Sequence, residues 1–171
     1  MTIARRPLLL AGLAAPWFAP SSARALDPPQ GPVVLTLRGR GIGAPNGVDQ
    51  ASFDMAMLER LPQQRIVAET PWYNKARSFT GPLLRAVLAA AGAAGGERAR
   101  RVALNDYRIE MPLADARKHD VIIARLLDDK PMSVREKGPL FVMYPFDREP
   151  QLRSSLYFSR CVWQLRTIEL L

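Results

Sequence analysis

Glu69-Thr70-Pro71-Trp72-Tyr73, followed by Phe79-Thr80-Gly81-Pro82-Leu83-Leu84-Arg85, Leu88 and Gly92, is the stretch on which the reading of this chain turns. Arg65 to Ala68 predicts a buried strand, and Pro71 stops it because proline brings no donor to a sheet ladder. Trp72 and Tyr73 then fall in a loop. Gly81-Pro82 predicts the start of a helix, whose first turn has no use for proline's missing N–H. Leu84, Leu88 and Ala91 fall at i, i+4 and i+7 as one apolar stripe, and Gly92 suits the helix end. Strand, aromatic loop and helix in this order put Trp72 where α/β proteins commonly hold a ligand. A tryptophan beside a turn serves equally as a core residue.

On either side of this unit the chain reads as one domain preceded by an export signal. Arg5-Arg6 make a positive n-region, Leu8 to Phe18 an apolar h-region, and Ala23-Arg24-Ala25 an A-x-A cleavage site. The apolar run is shorter than the roughly 20 residues that a membrane span requires. The organisation expected is a signal peptide over 1–25, a Pro-rich linker over 26–32 and a folded domain over 33–171. Cleavage near Ala25 implies a periplasmic or secreted protein. The twin arginine suits ordinary secretion and twin-arginine export alike. Formal net charge is +8; without Arg5, Arg6 and Arg24 the mature chain carries +5. The basic residues are spread out, with only Arg98 to Arg101 clustered near the expected end of a helix, where cations suit the dipole. No basic stripe is interleaved with aromatics, so nucleic acid is a poor partner, and an anionic ligand or an acidic partner is a better one.

One cysteine, Cys161, excludes an internal disulfide, and one histidine, His119, leaves no Zn, haem or Fe–S ligand set of familiar type. Cys161 is expected in the terminal strand as a packing residue. Val33 to Leu37, Val102 to Leu104, Tyr107 to Met111, Val121 to Leu127, Leu140 to Tyr144 and Trp163 to Leu170 predict further strands. Ser52 is expected to cap a short helix ending at Pro62, with others over Leu113 to Lys118 and Pro150 to Leu156. About seven strands and three or four short helices without strict alternation predict an α+β, or mixed α/β, fold.

Several pieces, taken in order, resemble a known family. Phe79-x-Gly81-Pro82-x-Leu84-x-x-x-Leu88-x-x-x-Gly92, then Asn105-Asp106-Tyr107 and Pro112, then Arg135-x-Lys137-Gly138-Pro139-Leu140, Tyr144-Pro145 and Arg160-x-x-Trp163-Gln164-Leu165 run from about Phe53 to Leu170. Their order and spacing resemble the sulfite-oxidase fold, the molybdopterin-binding oxidoreductase domain. The resemblance implies a single compact domain with a mixed sheet and a few short helices. Catalytic members carry a molybdenum-ligating cysteine, followed shortly by Gly-Asn, in the loop before the Gly-Pro pair. This chain has Thr70-Pro71-Trp72 there. It is similar in this respect to small exported pterin-binding members that pair with a membrane protein controlling cyclic di-GMP. That similarity implies a pterin ligand without molybdenum, no catalysis, and a sensing role.

A pterin ring asks for aromatic faces to stack on, a carboxylate to accept its parallel donors, and cations or N–H groups for its acceptors. Trp72, Asp106, Tyr107, Arg135, Lys137, Tyr144, Arg160 and Trp163 are the candidate ligand-binding residues. Each has a second role open to it: Asp106 as a turn residue, Arg135 and Lys137 as a solvated loop, Arg160 in an ion pair with Glu169 or Asp147, Trp163 in the core. Two other readings of the whole chain stand beside pterin sensing. One is a molybdopterin-dependent oxidoreductase; the other is an interaction module whose old pocket is filled by side chains.

Overall fold

A computed structural model describes residues 26–93 and 95–171; the expected leader, 1–25, lies outside the described residues. The fold is α+β, as the sequence predicts, with eleven strands and four short α-helices among the described residues. In chain order these are β1 (Val33–Gly39), β2 (Gln50–Asp54), α1 (Met55–Arg60), β3 (Gln63–Ala68), β4 (Arg77–Pro82) and α2 (Leu84–Ala90). There follow β5 (Arg98–Ala103), β6 (Arg108–Pro112), α3 (Ala114–Lys118), β7 (Ile122–Ala124), β8 (Leu126–Leu127) and β9 (Lys130–Pro131). The last elements are β10 (Phe141–Met143), α4 (Ser155–Arg160) and β11 (Leu165–Leu170).

A five-stranded sheet in the order β2-β1-β11-β5-β6 is mixed: β1 and β11 run parallel, and the other neighbours antiparallel. Alternation sorts its two faces. Leu35 and Leu37 of β1, Ala51 and Phe53 of β2, Ile168 and Leu170 of β11 and Ala99 of β5 are buried inside. On the outer face, the register aligns Arg38, Glu169, Arg100 and Glu110 across four strands, and each neighbouring pair forms an ion pair. This ladder corrects the expectation for Arg98 to Arg101, which lie in a strand and not at a helix end. Opposite-charge cross-strand pairing settles Arg98 and Arg100 there, while Arg101 turns to the inner face.

The inner face packs against a four-stranded sheet, β3-β4-β8-β9, and the two-stranded pair β10-β7. Here the central stretch departs from expectation. Gly81 and Pro82 close strand β4, which pairs with β3 from Gln63↔Pro82 to Ala68↔Arg77; α2 begins two residues later. The glycine answers to packing rather than to helix initiation: a Cβ there would stand 2.0 Å from the Ile123 carbonyl oxygen and 2.7 Å from the Ala124 Cα. Backbone of β7 fills the place a side chain would take. The buried stripe of α2 is Leu84, Val87 and Ala91, with Leu88 only partly covered. Gly92, at φ +62°, does end the helix, as expected.

Four smaller expectations also change. Ser52 lies in β2, and Asp54 caps α1, accepting from Met57 N–H at 2.8 Å and from Gln30 and Gly31 N–H at 2.7 and 2.9 Å. Those three donors hold its carboxyl below the ordinary aspartate range. The Val121 to Leu127 segment divides at Arg125 into β7 and β8, whose partners are different strands. Helix over Pro150 to Leu156 becomes a 3-10 turn at Pro150–Leu152 followed by α4. Cys161 caps the end of α4 and precedes β11 instead of lying within it.

Candidate functional site

Three segments meet around a cavity of about 340 Å³. The loop between β3 and β4 contributes Pro71 and Trp72; the end of β5 contributes Ala103, and the β5–β6 connection Asn105 and Tyr107; the end of α4 and the approach to β11 contribute Phe158, Ser159, Cys161, Val162 and Trp163. The walls are largely aromatic. Trp72 is half-buried and packs edge-on to Phe158 and Trp163, each at 5.9 Å between ring centroids, and against Phe141 at 5.3 Å. β3 ends at Ala68, short of the Pro71 expected to stop it; the chain turns over Thr70 to Tyr73, with Tyr73 N–H donating to the Thr70 carbonyl at 3.4 Å, and Trp72 packs on the core. Trp163 is held by its bridge to Phe141, and Tyr107 ties two walls together by donating its hydroxyl to the Ser159 carbonyl at 3.4 Å.

The polar groups of the lining are few. Asn105 accepts from Tyr107 N–H at 3.2 Å through Oδ1, which leaves its amide N–H groups and a second lone pair for a ligand. Ser159 donates to the Leu156 carbonyl at 2.7 Å. Cys161 closes the floor; burial pushes its thiol up to about 12, so it is a neutral S–H at physiological pH. No carboxylate or cation belongs to the lining.

Of the sequence candidates, the structure brings Trp72, Tyr107 and Trp163 together in the wall. Lys137 stands beside them, its Nζ 5.9 Å from the Trp163 ring and 5.0 Å from that of Tyr73. The other four lie elsewhere. Asp106 is exposed, adopts φ +62°, and pairs with Arg166 at 2.5 Å and Arg108 at 3.8 Å; the turn-closing bond comes from its neighbour Asn105. Arg135 is exposed on the 3-10 turn Val134–Glu136. Tyr144 is fully buried and donates to Asp115 at 2.7 Å; burial holds its hydroxyl far above the ordinary tyrosine range. Arg160 donates to the same Asp115 oxygen at 2.8 Å and lies 5.1 Å over Tyr157, in place of the expected pairing with Glu169 or Asp147.

Sequence reasoning missed Asn105, Phe158, Cys161 and Val162 in the wall, and the buried Asp115 behind it. For Cys161 the cause was the misplaced strand. Asp115 carried a signal: an acid flanked by Leu113 and Ala116 on a short apolar helix face. Among the described residues no three His, Cys, Asp or Glu side chains group as metal ligands. For a pterin, the cavity supplies the stacking faces and, in Asn105, donors and an acceptor on one amide; the carboxylate partner sought from Asp106 is turned outward.

No protein-family model and no curated protein sequence matches the chain. Among solved structures it is similar to the sulfane dehydrogenase SoxCD from Paracoccus pantotrophus, at a TM-score of 0.57 and 16% identity over 80% of this chain. The match spans 37% of that protein's chain. At this identity the likeness shows the fold alone, a fold of the molybdopterin-oxidoreductase kind that the sequence resembles.

Proposed function

We propose that this chain is an exported, non-catalytic pterin-binding protein of the sulfite-oxidase fold, and that it acts as a sensor for a membrane-bound cyclic di-GMP signalling partner. The observation that carries the ligand half is the aromatic cavity between Trp72, Tyr107, Phe158 and Trp163. A flat bicyclic ring stacks on such faces, each worth about 1–3 kcal/mol by analogy with nucleic-acid bases. Asn105 offers directed bonds at the ring edge. The export and partner halves rest on the N-terminal pattern and on the resemblance stated above.

Thr70-Pro71-Trp72 occupies the loop where catalytic members of the resembled family carry their cysteine. Molybdopterin-dependent oxidation is the second reading, and Cys161 in the cavity floor is the observation that favours it. A metal ion deprotonates the thiol that it binds, so the molybdenum content of the purified protein, and not the neutral state of this thiol, decides between the two readings. Titration of the purified protein with reduced and oxidised pterins, followed by calorimetry and by quenching of Trp72 and Trp163 fluorescence, tests the first reading. Saturable one-to-one binding supports it; no binding of either form leaves the chain as an interaction module.

A further inference from the structure

Arg101 breaks the pattern of the sheet that carries it. Along β5 the residues Ala99, Arg101 and Ala103 share the inner face, and all three are buried. Arg101 is wholly buried, and it keeps its charge, because a guanidinium is not deprotonated in proteins. Its Nη1 donates to the Arg160 carbonyl, while Nε and Nη2 have no hydrogen-bond partner among the described residues. Its guanidinium carbon lies 5.8 Å from the Tyr144 ring centroid, and the buried acid that Tyr144 bonds, Asp115, is already shared by Arg160. Glu149 is bonded to His119 at 2.6 Å and is partly in solvent. Two guanidiniums and one carboxylate leave a net positive charge in the interior. An uncompensated buried charge is costly, and a nearby negative charge offsets that cost.

The cavity is where such a charge has room. Ala103, two residues from Arg101 on the same face, lines it, and so does Cys161, which follows the carbonyl that Arg101 holds. The guanidinium is thus tied, through the carbonyl of Arg160, to the residue that precedes Cys161 in the lining. The lining is uncharged, and Lys137 is the further cation at the Trp163 side. Between apolar walls a field is weakly screened.

We infer that the cavity selects a planar ligand carrying negative charge, and that Arg101, tied to the lining through Arg160, sets this preference. The inference deepens the reading of the cavity as a site for a flat heterocycle, and rests on it. Two matched pairs of probes separate the two claims: 6-carboxypterin against 6-hydroxymethylpterin, and naphthalene-2-sulfonate against 2-naphthalenemethanol. The anionic member of each pair is expected to bind about tenfold more tightly, or better, as for a unit charge several ångströms away at an effective dielectric near 20. That ratio should persist between about 0.05 and 0.5 M NaCl, because the charge is buried. R101M should bring the ratio to about one while the neutral probes keep their affinity; R101K and K137M should retain most of it. The inference is overturned if the unaltered protein shows no anionic preference or binds none of the four probes. It is equally overturned if salt or K137M abolishes the preference, or if R101M leaves it. Should R101M not fold, the salt series and R101K decide. Selective binding of the naphthalene pair without the pterin pair refutes the pterin reading and leaves the charge selection standing.

Discussion

Trp72→Ala separates the ligand role of this indole from its structural one, because the structure gives it both. Trp72 packs on Phe141, Phe158 and Trp163 at 5.3, 5.9 and 5.9 Å, and each such aromatic pair contributes about 0.5–1.5 kcal/mol beyond area burial. Their joint loss predicts about 2–4 kcal/mol of destabilisation, a fall of roughly 4–16 °C in Tm for a domain of this size. If the indole also stacks on the ligand, affinity falls by about 1–3 kcal/mol, roughly 5- to 150-fold. Phe141→Leu is the control. Phe141 is fully buried and touches Trp72, Phe79 and Trp163, yet it does not line the cavity. It should cost comparable stability and leave affinity nearly intact. Denaturant melts beside fluorescence titration with a pterin, on both variants and on Trp72→Phe, supply the comparison. Equal affinity losses in Trp72→Ala and Phe141→Leu would refute the stacking role.

Four other outcomes follow from single contacts. Gly81→Ala should abolish soluble folded protein in an expression and circular-dichroism test, since its Cβ would meet β7 backbone at 2.0 Å. Asp115→Ala strands the Tyr144 hydroxyl and the Arg160 guanidinium, and should cost about 3–5 kcal/mol in a urea melt. Cys161 should resist a thiol reagent at pH 8 until the protein is unfolded. Its folded pKa is raised from 9.0 to about 12, so the native state holds a proton that the unfolded state loses. Stability should therefore fall as pH rises above 9, by up to about 1.4 kcal/mol per unit, and Cys161→Ala should flatten that limb. Asp54→Ala should cost stability at neutral pH, and the difference should shrink as acid titrates the wild-type carboxylate through its lowered pKa.

Most of the strands were legible because their burial alternates, as in Leu35-Thr36-Leu37, or is continuous, as in Phe141 to Met143. The Gly-Pro pair misled because proline is at home both at a helix start and at a strand end. Only the approach of Ile123, more than forty residues away, decides between them. Arg98 to Arg101 misled because the helix was expected to run up to them; Glu110, which pairs with Arg98 and Arg100 from the neighbouring strand, is close in sequence, and only Glu169 is distant, 69 residues from Arg100. In the site, aromatic loop residues were readable as a class, and Trp72, Tyr107 and Trp163 do converge. Which charged residues turn inward was not readable, because it depends on pairing: Asp106 is drawn out by Arg166, and Arg160 is drawn in by Asp115. Arg101 carried a visible mark, its place between Ala99 and Ala103, that only the strand assignment makes meaningful.

The most direct test of pterin binding without metal is a titration of the purified, metal-analysed mature protein with a reduced pterin. Saturable one-to-one binding with quenching of tryptophan fluorescence, in protein whose molybdenum content is far below stoichiometric, is the result expected. Stoichiometric molybdenum in the purified protein, or no saturable binding of any pterin, would contradict it.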